Sequence, residues 1–592
     1  MESVVSTDLS VLKRMAQEAM DMGADTRNRS TLCLQYYHKK QLTADEKQAL
    51  RRRKQPDIVI NRVRAAVNGT LGVLQQGRTD PKALPRTPDD ENSSDVATKG
   101  LRYIADYNEF QDLRVAAARD YLIQHACAAL VGADAKNRVK IELIAPEELL
   151  FDPRSKKEDF TDGRFLGIAK WLYADDVAKM YPSAKGDIEA TVESGSPFPV
   201  DAALEDKPSG QVWLDRRRRR MIVVELYYRE GGKWNRAVFH TGGVLEAGPS
   251  PYVDSDKQPC CPIVAQSCYV DDENVRYGVV YDMLDMQDEI NKRRSKALHL
   301  ISQRQARVSS LYANDPEVAR RELSRPDGLL VGEQGDVEIL QTNDMAQANL
   351  AMLQESKNEL ERFGPNPALL GRQGQDASGR AGLVRQQAGL TELAIVFGGH
   401  ESWERRVYRM AWNVARQRWT APDYVRVTDD EGAPQFIGVN QPRMGQAAIV
   451  TDPATGMAML QPQVLGYDNA IAEMDVDITL DSVPDTATLQ QEQFQVLADL
   501  AKLYGPQEVP FDDMLMLSSI TDKQKILERR KARQEEAAQG AQPQQQLAMA
   551  GAQAELEKTQ SETAKNVATA QKMQVETMTS AFSTGHQIGM AQ

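Results

Sequence analysis

The sequence predicts a mainly α-helical chain with β-rich segments, an α+β organisation. Three observations predict it. Aromatic residues are only 6% of the 592 residues, and much of the apolar 41% is Ala, Leu, Val and Met, a mixture that favours helix. Apolar residues recur near helical spacing through long runs, above all 279–307 and 380–419. Two other regions, 211–247 and 423–483, carry short strand-like runs instead.

In chain order, residues 8–54 read as helices, with a capping box at Thr43 and Glu46 ahead of KQALRRRK. A further helix is predicted over about 58–76, where Ile58, Val63, Val67, Leu71 and Leu74 fall near one face. Three prolines in 77–94 predict an extended loop. Helix is expected again over 95–131, through Val96, Leu101, Ile104 and Tyr107 and then from Leu113 to Val131. RVKIELIAP (138–146) alternates like a strand, and FDPRS (151–155) is a turn. Residues 211–247 read as a β-meander with turns at Gly231–Gly232 and Gly242–Gly243. Five arginines, Arg216 to Arg220, open its second strand; they suit either an acidic or nucleic-acid partner or a solvated hairpin end.

The helix predicted over 279–307 would exceed 40 Å at ~1.5 Å per residue. Its first half carries Asp282, Asp285, Asp288 and Glu289, and its second half Lys292, Arg293, Arg294, Lys296, Arg304 and Arg307, an order that complements the helix dipole. Val280, Leu284, Gln287, Ile290, Leu298 and Ile301 give only an interrupted apolar stripe, so this helix needs packing from neighbours. DPEVARREL (315–323) is a short helix, GLLV and DVEILQT are short strands, and 344–363 is helix. A polar, Gly-rich loop, 365–380, leads into a helix over 380–419. There the stripe Leu383, Leu390, Phe397 goes out of phase with Trp403, Val407, Met410 and Val414, and Gly398–Gly399 at the break predicts a kink. Short strands fill 423–483, and helices are expected over 486–503 and 511–535. The Ala- and Gln-rich tail, 534–592, has a heptad track Leu547, Ala554, Ser561, Ala568, Val575, Phe582 and an eleven-residue track Leu556, Val567, Met578. Small residues on both tracks suit a many-helix barrel or bundle, with a disordered low-complexity tail as the alternative.

Composition narrows the function. The 72 Lys and Arg against 85 Asp and Glu leave a net charge of −13, which argues against a protein devoted to gripping phosphate backbone but leaves room for a local basic patch. The beginning, MESVVSTDLS, has neither the basic nor the apolar region of a signal peptide. The most apolar stretch, Tyr121 to Val131, is broken by Gln124 and His125 and falls short of the ~20 residues of a membrane span, so no membrane partner is expected. Five cysteines (Cys33, Cys127, Cys260, Cys261, Cys268) predict a reduced chain without a disulfide framework. Gly374 to Ala381 has P-loop glycine spacing, but Arg380 and Ala381 stand where Lys and Ser or Thr belong. His400–Glu401 opens like HExxH, but Glu404 replaces the second histidine. Cys260, Cys261 and Cys268 lack a second pair and a nearby histidine. No nucleophile–base arrangement is readable; no enzyme, no metal and no cofactor is expected.

Several segments together resemble a bacteriophage portal protein, the head-to-tail connector of tailed phages, of the podovirus type. They are NRVRAAVNGTLGVLQQGRTDPKALPRTP (61–88), LIAPEELLFDPRSKKEDFTDGRFLGIAKWL (143–172) and the meander ending GPSPY (248–252). Further along come PIVAQSCYVDDENVRYGVVYDMLDMQDEINKRRSKALHL (262–300), PNPALLGRQGQDASGRAGLVRQQAGL (365–390) and VPDTATLQQEQFQVLADL (483–500). Their order covers about 60–500, and the tail matches only in kind.

The resemblance implies a ring of about twelve subunits around an axial channel for double-stranded DNA. By order it implies a wing over 1–278, a first stem helix 279–307, a clip 308–343, a second stem helix 344–363 and a tunnel loop 364–380. A kinked helix with strands returning to the wing would occupy 381–483, a crown 484–533 and a C-terminal helical barrel 534–592. The expected partners are the chain itself, DNA passing non-specifically, terminase, tail adaptor, major capsid and scaffolding proteins; the expected place is the portal vertex of the virion, after synthesis in the host bacterial cytoplasm. The implied site residues are Arg372, Gln373, Gln375, Asp376, Ser378 and Arg380 in the tunnel loop, Lys292, Arg293, Arg294, Lys296 and Arg304 on the stem, and Asp315, Glu317, Arg320, Arg321, Glu322 and Arg325 for clip docking. For the loop, the alternative is a flexible link whose arginines pair with neighbouring subunits. A non-portal phage assembly protein, such as a tail adaptor or coiled-coil scaffold, and an enzyme with an unrecognised site remain as other functions.

Overall fold

The computed structural model describes residues 8–86, 91–195, 212–302, 305–309, 335–340, 343–361, 379–428, 434–444, 448–451, 458–461, 464–474, 476–484 and 555–577, with isolated positions at 208, in 317–333 and in 494–533. The chain divides into two units, Met1–Pro484 and Asp485–Gln592. It mixes helices with antiparallel strands, as the α+β reading expected.

The first unit opens with α1 (Leu9–Met22), α2 (Ala24–Tyr37), α3 (Ala44–Arg52) and α4 (Arg62–Gln76). The Thr43–Glu46 capping box forms at the start of α3. Helix α4 begins at Arg62 because Asn61 caps it, its side chain accepting from the Arg64 amide at 3.0 Å.

The segment read as a loop is a strand, β1 (Gly77–Pro85). It pairs antiparallel over its whole length with β21 (Val476–Pro484), nearly 400 residues away in sequence. Its prolines are compatible because they share a parity. The Ala83 amide donates to Thr98 Oγ1 at 3.0 Å rather than to β21, and Pro81 and Pro85 lie on that same outward parity, so no ladder bond is lost.

Helix α5 starts at Glu91 and ends at Tyr107; α6 (Phe110–Ile123) follows. The single helix expected up to residue 131 gives way to β2 (Cys127–Ala133), the centre of a sheet β10-β2-β3 with β3 (Val139–Ile144) and β10 (Ile263–Gln266). Ala128, Ala129 and Val131 are buried between two clusters, a burial that suits a central strand as well as a helix.

The meander is present within a six-stranded sheet: β4 (Leu149–Phe151), β5 (Phe165–Tyr173), β6 (Leu214–Asp215), β7 (Arg220–Glu230), β8 (Lys233–His240) and β9 (Gly243–Pro249). β7 is buried on both faces, which its Met-Ile-Val-Val run satisfies. Leu12 and Ala16 of α1 cover one face, over Ile222, Val224 and Leu226. Val177, Ile188 and Val192, from α7 (Ala174–Met180) and α8 (Lys185–Glu193), cover the other over Met221 and Val223. Gly231 and Gly232 close the β7–β8 hairpin at φ +58° and +82°, the positive pair that a tight turn of this hand requires.

The expected 279–307 helix is shorter. A 3-10 turn, Val279–Met283, leads into α9 (Leu284–Ser302), and Gln305–Val308, including Arg307, forms strand β13 against Val337–Leu340 (β14). Helix α10 is Asn343–Glu361 and α11 is Gly379–Arg418. Of the GLLV strand, 329–331 lies outside the described residues; so do 485–493 and most of the two helices expected up to 535, whose described positions are helical. Beyond α11, three further ribbons hold 423–468. In the second unit, 555–577 is one helix exposed at every position.

Helix α11 is the spine of the main core. Trp403, Val407, Tyr408, Ala411, Val414 and Ala415 are fully buried among α4, α5, α6 and β2. The helix runs unbroken through Gly398–Gly399. The glycines serve packing: a Cβ on Gly399 would collide with the Tyr121 hydroxyl, whereas one on Gly398 meets nothing. Just beyond, Glu404 is buried and held by three groups. His400 Nδ1 lies 2.9 Å away, Thr79 Oγ1 donates at 2.8 Å, and Arg114 Nε lies at 3.7 Å. Arg114 in turn donates to Thr79 Oγ1 and to the carbonyls of Leu74 and Gly77, so one buried charge pair ties α6 and α11 to the α4–β1 junction.

Two outcomes follow from this spine. Gly398→Ala should raise the melting temperature, since an exposed helical glycine costs up to about 1 kcal/mol relative to alanine; Gly399→Ala should lower it. Burial raises the Glu404 pKa, but His400, Arg114 and Thr79 outweigh it and hold the carboxyl below its ordinary 4.5. Its stabilisation is therefore present above pH 4.5 and lost as pH falls through the folded value. Glu404→Gln, which leaves the Arg114 charge buried alone, should cost about 3–5 kcal/mol at neutral pH in denaturant melts. The gap from wild type should narrow in acid.

Candidate functional site

Helix α9 presents three different faces. One is apolar: Ile290 packs with Leu353 and Leu360 of α10, joined by Met286 and Ile60. The second is polar and buried. Gln287, Asn291 and Ser295 recur every four residues, one helical turn apart, and each is buried.

That polar face grips the extended segment 54–62. Gln287 Oε1 accepts from the Arg62 amide at 2.9 Å, and its Nε2 donates to the Ile60 carbonyl at 2.8 Å. Asn291 Oδ1 accepts from the Ile60 amide at 3.0 Å, and its Nδ2 donates to Gln41 Oε1 at 2.7 Å. Ser295 Oγ donates to the Pro56 carbonyl at 2.6 Å, and His299 Nδ1 lies 3.2 Å from the Lys54 carbonyl. These bonds replace the strand ladder that the segment would otherwise need. The sequence reading counted Gln287 within an apolar stripe and missed the ladder; the four-residue spacing of Gln287, Asn291, Ser295 and His299 was the available signal.

The third face is charged. Lys292 pairs with Asp288 at 3.2 Å and Arg293 with Glu289, both one turn apart. Tyr36 of α2 donates to Asp288 Oδ1 at 2.6 Å, and burial followed by Asp288 pushes its phenol above the ordinary range. Arg294 and Lys296 form no ion pair among the described residues. Ile301 is a large apolar side chain 62% exposed.

The other residues implied by the resemblance are placed unevenly. Arg304, Asp315, Arg372, Gln373, Gln375, Asp376 and Ser378 lie outside the described residues, and Arg380 falls in the first turn of α11. Glu317, Arg320, Arg321 and Glu322 are helical positions, and Arg325 pairs with Glu322 at 3.2 Å. The five-arginine run is largely spent within its own hairpin and neighbours. Arg218 pairs with Asp215 at 2.7 Å, Arg219 with Asp175 at 3.2 Å, and Arg220 donates to the Trp171 carbonyl.

Gln287→Ala should cost about 1–3 kcal/mol, because the Arg62 amide and Ile60 carbonyl lose their partner in a buried setting. Denaturant titration of the full chain checks it. Lys292→Ala, which removes an exposed one-turn pair, should cost under about 0.5 kcal/mol in the same measurement.

The family described as phage P22-like portal protein matches residues 13–573. A protein named portal protein, from Helicobacter pylori bacteriophage KHP30, is 21% identical over 435 residues. That alignment covers 68% of this chain and 66% of the relative, just under two thirds of the relative's length. With the family match running from within α1 into the tail helix, the chain belongs to the phage P22-like portal protein family.

Proposed function

We propose that this chain is the portal of a tailed phage: about twelve copies close into a ring at one capsid vertex, by the rotational symmetry that closes most homo-oligomers. Double-stranded DNA enters and leaves through the axial channel, and the ring docks the terminase motor and afterwards the tail adaptors. The observation that carries this reading is the family match across 13–573. The surface of α9 supports it. A helix held by a polar ladder on one side and by α10 on another still exposes Ile301, apolar surface left for a neighbouring copy.

In this reading α9 and α10 are the stem, the segment between them is the clip, and 364–380 is the tunnel loop. The clip charges, Glu317, Arg320, Arg321, Glu322 and Arg325 with Asp315, would exchange motor for adaptor. Arg372 and Arg380 would meet phosphate briefly, with Asp376 keeping the attraction small and Gln373, Gln375 and Ser378 touching the duplex through water. A net charge of −13 per copy makes the assembled conduit acidic, so that DNA slides instead of sticking. The portal acts as a conduit and carries out no chemistry of its own.

The alternative, a coiled-coil scaffold or adaptor, draws on the tail helix, exposed at every position from 555 to 577. Negative-stain images of the purified chain separate the two: closed rings with an open pore support the portal, and filaments or small oligomers overturn it. Ile301→Asp should abolish rings while leaving the unfolding free energy of the chain within about 0.5 kcal/mol of wild type, as expected for an exposed position. Normal ring yield from this variant would remove α9 from the subunit interface.

A further inference from the structure

We infer that the corner formed by the end of α2, helix α3 and the second half of α9 is a binding surface for the phosphate backbone of duplex DNA. The charges come together through the segment that α9 grips. Lys39 and Lys40 follow α2, next to Gln41, which receives Asn291 of α9. Lys47, Arg52, Arg53 and Lys54 lie on α3 and its end, and the Lys54 carbonyl sits 3.2 Å from His299. One turn back along α9 is Lys296.

None of these seven cations forms an ion pair among the described residues. Arg51 beside them has only a long, exposed contact with Asp57 at 3.4 Å. Lys39, Lys40, Lys47, Arg52, Arg53, Lys54 and Lys296 are exposed. Basic residues at the end of α3 complement its dipole, but that effect fades within one turn and does not account for Lys39, Lys40 or Lys296. In a chain of net charge −13, an uncompensated group of this size is a local exception.

The chemistry favours a phosphate polymer over an acidic protein. Protein-docking patches centre on buried aromatic or apolar anchors, whereas the exposed positions of α3 carry Lys, Arg, Gln, Asp and Ala and no large apolar side chain. Amide groups interleave the cations at Gln48 and Gln55, suited to donate to phosphate oxygens. The opposite end of the α2–α9 pair is acidic, with Asp25, Asp272, Glu273, Asp282 and Asp285 exposed, so the surface is graded along the two helices. Should copies be related by rotation, like ends stand at the same height and the cations add. The inference itself rests on the single-chain surface and not on the ring.

The test uses the full-length chain and a labelled mixed-sequence duplex of roughly 30 base pairs, with anisotropy read between about 50 and 200 mM salt. The combined reversal Lys39→Glu, Lys40→Glu, Arg52→Glu and Arg53→Glu should weaken binding about tenfold or more. It should also flatten the salt slope by about 0.9 for each phosphate contact removed. The corresponding glutamine variant should fall between it and wild type, and Arg216→Glu with Arg217→Glu should bind as wild type. Unchanged affinity in the four-residue reversal, or equal loss in the Arg216/Arg217 variant, overturns the inference. So does displacement of the duplex by polyglutamate at a lower concentration of charges than unlabelled DNA requires, which would make the partner an acidic protein. Ring formation is imaged in the same samples. Rings with undiminished binding in the reversal defeat this inference alone; patch-dependent binding without rings defeats the portal reading alone.

Discussion

The extended segment 54–62 lies beside a helix more than 220 residues further along the chain, and that helix satisfies its backbone. Few arrangements answer the need of a partly buried segment for backbone partners without a second strand. Here Gln287, Asn291 and Ser295 supply them at one-turn spacing. The consequence reaches past local stability. The ladder fixes the height of α3 on α9, and with it which charges share a surface. It also occupies one face of α9, so the apolar contact with α10 is carried on another, around Ile290, Leu353 and Leu360.

The second constraint is closure over long sequence distance. β1 meets β21, and Arg114 meets Glu404, so the first and last parts of the unit 1–484 are locked by a ribbon and by one buried charge pair. Breaking such a pair leaves an uncompensated charge, while the ribbon adds a continuous set of backbone bonds. Together they hold α11 along its buried half. The His400–Glu404 spacing, which in sequence looks like a truncated metal motif, is used for this internal tie.

Much of the helical framework was legible in the sequence, because periodicity and caps are local signals: Thr43–Glu46, the start of α1, the meander and α10 all fall close to expectation. The differences share a cause. β1 looked like a loop because its prolines report only what they forbid, and nothing local announces a partner 400 residues away. β2 looked helical because Ala128, Ala129, Leu130 and Val131 are apolar whichever element buries them. Gly398–Gly399 looked like a hinge because a glycine pair gives the same signal whether it frees the backbone or admits a neighbour, here Tyr121. Of the site, the charge order along α9 was readable, and its polar ladder was not.

Charge is where sequence and structure separate most usefully. Arg216 to Arg220 is the densest basic run in the sequence, yet three of its members are spent on Asp215, Asp175 and the Trp171 carbonyl. The corner at Lys39, Lys40, Lys47 and 52–54 is less dense along the chain but forms no ion pair among the described residues, and α9 adds Lys296 from more than 240 residues away. A count of like charges measures what a surface could attract; pairing measures what is left to attract with. An acidic chain with one unpaired cationic corner can therefore repel a duplex over most of its surface and still hold it at one place. The two effects scale differently with salt: diffuse repulsion is screened over a Debye length, while contact with phosphate weakens through counterion release. Sliding and holding can thus reside in one subunit without contradiction, provided that they reside at different heights on it.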